Sequence, residues 1–374
     1  MRAGMTVHHD SKKLGRKGAL NPPAPKLLAG ELNVSGLTIE WLAGDGSDRC
    51  YYRLRSPEFR SKLNLSKEAD PTLVLMQLSS SDAALLKNDG YDWINVGETL
   101  RGHGIFVPRV VKALPDQAAL IIEDYGDLML ETQVFNLAEK DDVTAIRILY
   151  HKTFHVISRF LGIERTPSSA WCRRSFDAER FSWELRFFMQ KYAEPIAGLN
   201  LSSADQKAFD QETVTLAKFL AAESLYFVHR DFHSRNVMLL GDAIAVIDFQ
   251  DARIGPAAYD LVSLCFDSYV PFTPATRRSL MLDGLDIIRQ HNGQTVAASI
   301  ERLWKPMLLQ RQLKAIGSFG YLTLEKGRGD YLKYVDGALK TLEEQGLEDE
   351  RWPFLSSVLI RRLRDFLDGT TTKT

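Results

Sequence analysis

The chain has 374 residues, of which 45% are hydrophobic and 25% are charged. This composition excludes disorder over most of the length and is sufficient for two lobes that share a cleft. Forty-seven basic residues against 48 acidic ones give a formal net charge of −1. The balance excludes a global basic field for a nucleic-acid backbone, so a polyanion is not the expected partner. The oligomeric state is left open.

Cysteine usage and hydropathy predict the compartment. The three cysteines lie far apart and lack CxxC spacing, so neither a disulfide framework nor a zinc site is predicted and a cytoplasmic location is favoured. No apolar run approaches the roughly 18 to 20 residues that a membrane span needs, and we expect no membrane contact. Residues 1–30 are basic and then Pro-rich, which predicts a flexible extension in preference to a targeting segment.

Short β-rich runs follow the extension. They cover residues 37–43, 51–55, 72–78 and 118–125, and their length and turn-rich connections predict an antiparallel sheet. Between the third and fourth runs, residues 89–103 have the apolar periodicity of one helix. The sequence therefore predicts an N-terminal lobe over residues 31–126.

The pattern then changes to long amphipathic helices. Residues 203–222 open with a Ser203-x-x-Gln206 capping box, and Thr273-Pro274 has the form of an N-cap followed by proline at the first helical position. Further helices are predicted over residues 141–161, 177–196, 300–317 and 330–346.

Two short apolar strands interrupt these helices. They cover residues 237–240 and 244–249 and bracket Gly241-Asp242, so they predict a small hairpin. The fold class is therefore α+β, with a small antiparallel sheet and one helix in the N-lobe and a larger, mainly helical C-lobe over residues 127–374.

The segment from 229 to 260 combines the side chains that phosphoryl transfer requires. Asn236 follows Asp231 by five positions, and Asp248 ends the second strand of the hairpin. A carboxylate is needed to orient and deprotonate the attacking hydroxyl, and hard oxygen ligands are needed to hold Mg²⁺ on the nucleotide phosphates. The pattern therefore predicts Asp231 as the base, with Asn236 and Asp248 as metal ligands.

This segment resembles the kinase superfamily, whose members have H-R-D, a downstream Asn and D-F-G. His233 stands where protein kinases carry Lys, and Gln250 follows Asp248-Phe249 where they carry Gly. The short link from Gln250 to Asp260 leaves no room for an activation loop. These departures are similar to the aminoglycoside phosphotransferases and choline kinases.

The resemblance implies a two-lobed, protein-kinase-like fold that uses ATP and Mg²⁺, with ATP in the cleft. It implies that His229 and His233 orient the loop and that Asp260 anchors it from below. Each residue also has a structural explanation, since a histidine is often a hydrogen-bonded core residue and Asp260 opens an apolar helix.

The N-lobe contains two candidate nucleotide-binding segments. The turn around Ser47, Arg49 and Arg53 joins two strands, as a phosphate-covering turn does in kinase-like folds, although it also suits an ordinary hairpin. A second segment, formed by Glu123, Asp124 and Tyr125, ends the last strand where this family places adenine against a hinge. An edge-strand terminus is the alternative.

The third strand departs from the kinase pattern. It presents Met76 where kinase-like folds carry a Lys for the α- and β-phosphates. Either another cation, such as Arg49 or Arg53, contacts the phosphates, or nucleotide binding is weakened and the chain is a regulatory pseudokinase module.

A narrower resemblance concerns the anomeric kinases of cell-wall amino sugars, which act on N-acetylmuramate and N-acetylglucosamine in peptidoglycan recycling. It rests on the Arg/Tyr-rich first turn, Met76, the catalytic loop and the late helix around Arg311. It implies an amino-sugar acceptor with Arg311 near it. Arg235 could be a surface cation, but its place between the catalytic loop elements favours contact with substrate or phosphate. Asp251, which we group with the substrate residues, is either a third metal or phosphate neighbour or a solvated acid after the strand. The alternative acceptors are an aminoglycoside, which calls for an acidic lobe, and a choline-like amino alcohol, which calls for an aromatic cage.

Overall fold

The computed structural model describes residues 22–44, 49–65, 67, 71–88 and 90–371. Within this range the residues group into two compact units. The first contains the described residues up to Tyr91 together with Arg109–Asp124. The second contains Asp92–Pro108 together with the described residues from Tyr125 onward. The predicted helix near residues 89–103 thus groups with the second unit.

The first unit is built on a five-stranded antiparallel sheet with strand order β1-β2-β3-β5-β4. Four strands match the predicted runs and confirm the sheet. The strand Val110–Leu114 was not predicted, because it is partly exposed and includes Lys112, which hides the apolar pattern. The elements are α1 Pro25–Leu32, β1 Thr38–Gly44, β2 Cys50–Arg55, α2 Phe59–Lys62, β3 Thr72–Gln77, α3 Ser80–Lys87, β4 Val110–Leu114 and β5 Ala119–Glu123.

The first six residues of helix α1, 25–30, lie within the segment 1–30 that the sequence assigned to a flexible extension. Pro25 stands at the start of the helix, where its fixed φ and missing N–H cost little. Leu28 and Leu32, four residues apart, are buried against sheet residues that include Leu54 and Leu73. Residues 25–30 are therefore part of the packed unit.

The second unit is mainly helical and has two small antiparallel sheets, β6 with β9 and β7 with β8. In the described part of the chain, no helix is long and apolar enough to cross a membrane. The elements are α4 Asp92–Gly102, α5 Leu130–Ala138, α6 Val143–Leu161, α7 Ala178–Phe188, α8 Ser203–Ala221, β6 Ser224–Val228, β7 Val237–Leu240, β8 Ala243–Val246, β9 Arg253–Pro256, α9 Ala258–Cys265, α10 Pro274–Asn292, α11 Gln294–Lys326, α12 Val335–Glu344 and α13 Leu359–Thr371.

The N-caps of α8 and α10 can be compared with the predicted helix starts. Thr273 caps α10 by accepting a hydrogen bond from Thr276 N, with Pro274 following as predicted. The predicted capping box of α8 was wrong by one residue, because Ser202 is the N-cap and accepts from Asp205 N at 3.2 Å. Ser202 has the extended backbone that a cap needs, whereas Ser203 is already helical.

Helix α11 is the longest element, and its backbone packs closely against the end of α7. A Cβ on Gly317 would lie 2.7 Å from the Cα of Phe188, so glycine is required for this approach. Two turns before Gly317, Gln310 donates to Glu184 of α7 at 2.7 Å. These contacts fix the register of the α11 segment 310–317.

Candidate active site

The predicted catalytic loop connects β6 to β7. The strands β7 and β8 form the predicted hairpin, with Leu240 paired to Ala243 around a two-residue turn at Gly241. Ile247 N donates to the main-chain oxygen of Asn236 at 3.1 Å, just beyond the hairpin. The loop and the segment after β8 are therefore joined by the main chain.

Asp260 anchors the start of the loop. Its carboxylate, 2% exposed, accepts from the main-chain N–H groups of His229 at 2.7 Å and Arg230 at 3.1 Å. Arg230 has φ 84°, an uncommon backbone region for a residue with a side chain. Burial raises the pKa of Asp260 to about 7, although the two N–H donors oppose the rise. The anchoring contact implied by the resemblance is thus present.

His229 is fully buried and links the catalytic loop to the segment that follows β8. Its Nε2 lies 3.0 Å from the main-chain oxygen of Ile247, which precedes Asp248. Burial lowers the pKa of His229 to about 4, so the ring is neutral near pH 7. A neutral, buried imidazole with these contacts suits the positioning role predicted for it.

Asp231 lies among cations. Lys314 of α11 donates to its Oδ1 at 2.9 Å, and Arg230 Nε lies 3.7 Å from its Oδ2. Burial alone would raise the pKa of Asp231, but the charges of Lys314, Arg230 and Arg311 hold it well below its ordinary value. The carboxylate is therefore ionised and able to accept a proton.

Asn236 and Asp248 come together next to the main chain of Asp231. Asn236 Nδ2 donates to the main-chain oxygen of Asp231 at 2.8 Å and lies 3.4 Å from Asp248 Oδ2. Gln250 Nε2 donates to Asp248 Oδ1 at 2.7 Å. Asp248 has φ 61°, a left-handed conformation that aspartate tolerates better than most residues.

The pair suits a nucleotide-bound Mg²⁺. Nδ2 of Asn236 is directed at the main-chain oxygen of Asp231 and at Asp248 Oδ2, so Oδ1 is the Asn236 atom that would bind a cation, with the Asp248 carboxylate as the second protein ligand. Among the described residues, no group of three or more His, Cys, Asp or Glu side chains is arranged for a metal. Mg²⁺ commonly takes only one or two protein ligands and completes its shell with phosphates and water, so two ligands are sufficient.

Phe249 anchors the Asp248 segment by packing against α4. It is fully buried, and its ring lies 5.0 Å from that of Trp93 in α4. A Cβ on Gly97 of α4 would lie 3.2 Å from the Phe249 ring, so the helix packs directly on this residue. The position of Asp248 therefore depends on α4.

The second half of the loop is held by one acid from elsewhere in the unit, Asp267. Ser234 N donates to Asp267 Oδ2 at 2.9 Å, and the Ser234 hydroxyl bonds the same carboxylate. His233 Nε2 lies 3.4 Å from Asn236 Nδ2, and its ring packs 5.2 Å from that of Tyr269. Burial lowers the pKa of His233. His233 is thus placed to orient Asn236.

Arg235 sits in an aromatic and acidic pocket, here called the Arg235 cage, formed by Glu131, Tyr269, Tyr331 and Tyr334. Its Nε and Nη2 donate to Glu131 Oε1 at 2.9 and 2.8 Å, and Nη2 donates to the Tyr334 hydroxyl at 2.7 Å. Its guanidinium carbon lies 3.8 Å from the Tyr269 ring centre and 5.2 Å from that of Tyr334. The contact of Arg235 with substrate stays a prediction.

The other two predicted substrate residues differ in exposure. Asp251 is 43% exposed and lies 3.1 Å from Arg230 Nη1, with Arg174 and Arg253 each 3.6 Å away. Arg311 is 8% exposed and donates to the Tyr259 hydroxyl at 2.7 Å. Neither contact tests whether these residues meet a substrate.

In the first unit, the two candidate arginines have acidic partners. Arg49 Nε donates to Asp82 at 2.8 Å. Arg53 Nε and Nη2 donate to the two carboxylate oxygens of Asp124 at 2.5 and 3.1 Å, and Thr72 donates to Asp124 at 2.7 Å. Met76 is fully buried in β3.

The other predicted nucleotide residues are placed as follows. Glu123 is 1% exposed and bonds Arg109 at 3.2 Å. In the second unit, the Tyr125 hydroxyl donates to Val107 O at 3.0 Å. Ser47 lies outside the described residues. The nucleotide-binding roles of these residues stay predictions.

Sequence reasoning missed Lys314 and the members of the Arg235 cage. Lys314 lies three residues after Arg311 on α11, so the two share a helix face, and this spacing was the available signal. Glu131 and Tyr334 are 104 and 99 residues away from Arg235 in sequence. No local sequence pattern predicts partners at such separations.

The solved structures that this fold resembles are small-molecule kinases. A Plasmodium vivax ethanolamine kinase aligns with a TM-score of 0.52 and 12% identity over 82% of each chain. An amicoumacin kinase in complex with AMP-PNP, Ca²⁺ and Ami aligns with a TM-score of 0.52 and 16% identity, over 86% of this chain and 93% of that chain. The predicted fold class is confirmed: the fold is that of the protein-kinase-like kinases.

Residues 67–291 match the phosphotransferase enzyme family, and the chain belongs to that family. Three relatives are N-acetylmuramate/N-acetylglucosamine kinases. The Pseudomonas putida enzyme is 30% identical over 308 residues, 81% of each chain. The Pseudomonas aeruginosa enzyme is 25% identical over 304 residues, 80% of this chain and 81% of that one. The Neisseria meningitidis enzyme is 28% identical over 227 residues, 60% of this chain and 66% of that one. The predicted enzyme class, a kinase, is confirmed.

Proposed function

We propose that this chain transfers the γ-phosphoryl group of ATP to the anomeric hydroxyl of N-acetylmuramate or N-acetylglucosamine, in the cytoplasm, as a step of peptidoglycan recycling. The observation that carries this proposal is the similarity to a kinase of these two sugars over 81% of the chain. We assign nucleotide binding to residues 31–126 and acceptor binding to residues 127–374.

The chemistry follows from the ionised carboxylate of Asp231. The acceptor oxygen forms a bond to the γ-phosphorus while the bond from that phosphorus to the β–γ bridging oxygen breaks, and its electron pair leaves with ADP. The hydroxyl proton moves to Asp231. An anomeric hydroxyl is more acidic than an ordinary alcohol, so a carboxylate of low basicity is adequate for this transfer.

Asn236 and Asp248 are the residues that would hold Mg²⁺, which supplies charge neutralisation on the nucleotide phosphates. His229, His233 and Asp260 keep the loop in the required conformation. We assign Ser47, Arg49 and Arg53 to the phosphates, and the segment from Glu123 to Tyr125 to the adenine.

The charge around Asp231 supports a neutral or anionic acceptor. Arg230, Arg311 and Lys314 all act on this carboxylate, and this arrangement disfavours a polycationic aminoglycoside. The lactyl carboxylate of N-acetylmuramate suits such surroundings, since arginine can bind a carboxylate through two donors. We assign Arg235, Arg311 and Asp251 to the acceptor side.

The Arg235 cage argues against a choline-like amino alcohol as the acceptor. Aromatic rings arranged around a cation are the usual receptor for a quaternary ammonium, and here Tyr269 and Tyr334 surround the guanidinium of Arg235. Because the protein's own cation fills the cage, a cationic acceptor has no place there. This supports an amino sugar over an amino alcohol.

The test offers ATP with free N-acetylmuramate or N-acetylglucosamine beside the 1-O-methyl glycoside of each sugar. Methylation blocks the anomeric oxygen and leaves C6 open. We expect ADP release and a 1-phosphate product with the free sugars alone. Equal phosphorylation of both forms, or activity confined to aminoglycosides or choline, would exclude the anomeric assignment.

A further inference from the structure

Lys314 is the cation in direct contact with the proposed base. Its Nζ donates to Asp231 Oδ1 at 2.9 Å, and its side chain is 15% exposed. Arg230 stands farther from this carboxylate, at 3.7 Å, and its Nη1 lies 3.1 Å from Asp251. The guanidinium of Arg311 donates to Tyr259. Lys314 therefore differs from the two arginines in having Asp231 as its hydrogen-bond partner.

A cation at this position opposes the role of Asp231 as a base. A positive charge stabilises the carboxylate and makes it less basic, which disfavours proton transfer to it. Burial also opposes the charge on Lys314 itself. The arrangement is explained if the ammonium has a second partner during the reaction, next to Asp231.

The transferring phosphoryl group is such a partner. The attacking oxygen must touch both Asp231 and the γ-phosphorus, so the phosphoryl oxygens lie one atom beyond the group that Asp231 contacts. When the hydroxyl proton reaches Asp231, the carboxylate becomes neutral and its ion pair with Lys314 is lost. The ammonium is then available as negative charge shifts over the phosphoryl and leaving oxygens.

The positions where kinases usually carry lysine are not cationic in this chain. The third strand has Met76, fully buried, and the catalytic loop has His233 in place of lysine. Lys314 is instead supplied by α11, whose register is fixed by the close approach at Gly317 and by the bond from Gln310 to Glu184.

We propose that Lys314 is a catalytic residue that contacts the transferring phosphoryl group and supplies a charge that neither β3 nor the catalytic loop provides. The inference rests on the proposed role of Asp231 but not on the identity of the acceptor.

The first measurement is steady-state kinetics of Lys314→Met and Lys314→Arg, with the sugar that the wild type phosphorylates. We expect the Met variant to lose about 10²- to 10³-fold in kcat, the usual effect of removing one donor aimed at developing charge, with a small change in the KM of the sugar. The Arg variant, which keeps the charge, should recover part of the loss. Lys305→Met is the matched control, because Lys305 is an exposed lysine of the same helix that donates to Gly346 O.

The second measurement separates a direct contact from an effect through Asp231. Calorimetry without any sugar measures the affinity of Mg-ADP with aluminium fluoride, a mimic of the transferring group, for the wild type, Asp231→Asn, Lys314→Met and the double variant. We expect Lys314→Met to weaken binding at least about tenfold both in the wild type and in the Asp231→Asn background, because the contact does not require the carboxylate. Affinity for Mg-ADP alone should change little.

The opposite results overturn the proposal. If the loss on Lys314→Met disappears in the Asp231→Asn background, Lys314 acts only by positioning Asp231. An unchanged kcat, or an increase confined to the KM of the sugar, also excludes the contact. Lys314→Gln, which keeps a hydrogen-bond donor, replaces the Met variant if urea unfolding shows that Met destabilises the fold. Since the calorimetry contains no sugar, a wrong acceptor would leave its result intact.

Discussion

The catalytic loop and the first sheet both contain charged residues predicted to meet phosphate, but their charges are arranged differently. In the loop, Asp231 and Asn236 are joined to each other, with Asp248 beside the Asn236 amide. In the sheet, Arg53 and its partner Asp124 are both at most 9% exposed and form a two-bond ion pair.

The polar groups of the loop are arranged for function, whereas the charges of the first unit are paired in a way that serves stability. Positive φ angles occur at Arg230 in the loop and at Asp248 after β8, and such uncommon backbone conformations concentrate at functional sites. The sheet pairs its charges within the packed unit, which is what stability requires of buried ions. We therefore expect substitutions in the loop to affect turnover and substitutions at the Arg53–Asp124 pair to affect folding.

The largest effect is expected for Asp231→Asn. Turnover should fall by at least about 10²-fold, the low end of what a positioned general base contributes, while the free energy of unfolding stays near that of the wild type. Asp242→Asn, in the exposed hairpin turn, is the matched control. A folded Asp231→Asn variant with near-normal turnover would remove this residue from the mechanism.

Asp248→Ala should abolish Mg²⁺-dependent ATP binding in calorimetry, because the metal loses its anionic ligand. Alanine is strained at φ 61°, so Asp248→Asn, which tolerates this conformation, separates the loss of charge from the backbone effect. We expect Asn to weaken Mg-ATP binding at least about tenfold. Unchanged affinity in both variants would contradict the assigned role.

Asp124→Asn should lower the free energy of unfolding by about 3–5 kcal/mol, since it removes the buried carboxylate charge to which Arg53 donates two hydrogen bonds. Urea denaturation measures this. Asp82→Asn should cost less, because the Asp82 side chain is 18% exposed and that of Asp124 is 2% exposed. If Asp124→Asn leaves stability unchanged but alters ATP affinity, the distinction between the two regions fails.

A smaller effect is expected at the Arg235 cage. Arg235→Ala should create at least about tenfold tighter binding of tetramethylammonium than the wild type has, because the tyrosines and Glu131 are released for an external cation. Arg328→Ala is the control, since its guanidinium lies 4.8 Å from the Tyr331 ring and its removal leaves Arg235 in place. Equal binding by both variants would exclude Arg235 as the group that blocks the cage.

The smallest expected effect concerns His229, whose imidazole should not titrate near neutral pH. With a pKa of about 4, His229 should stay neutral from pH 8 to about 5, whereas an unperturbed histidine becomes protonated as the pH falls through about 6.5. NMR of the imidazole resonances measures this. A midpoint near 6.5 would show that His229 is more hydrated than its buried contacts indicate.

Four of the five strands of the first sheet, the hairpin at Gly241 and the family could be predicted from the sequence. Each depends on local information: strand periodicity, a two-residue turn, and a motif in which five positions separate Asp231 from Asn236. The start of α10 could also be predicted from local sequence, because the cap Thr273 and Pro274 are adjacent. The α8 cap was missed by one residue because either of two consecutive serines can cap, and backbone conformation decides between them.

Which charged side chains form pairs could not be predicted from the sequence, because the pairing depends on how the elements pack. Lys314 is 83 residues from Asp231, and Asp124 is 71 residues from Arg53. Partners at such separations are chosen by the packing of whole elements, such as the close approach of α11 at Gly317. Because burial and Coulomb energies depend on that packing, the ionised state of Asp231 and the neutral state of His229 follow from the folded chain and not from the motif.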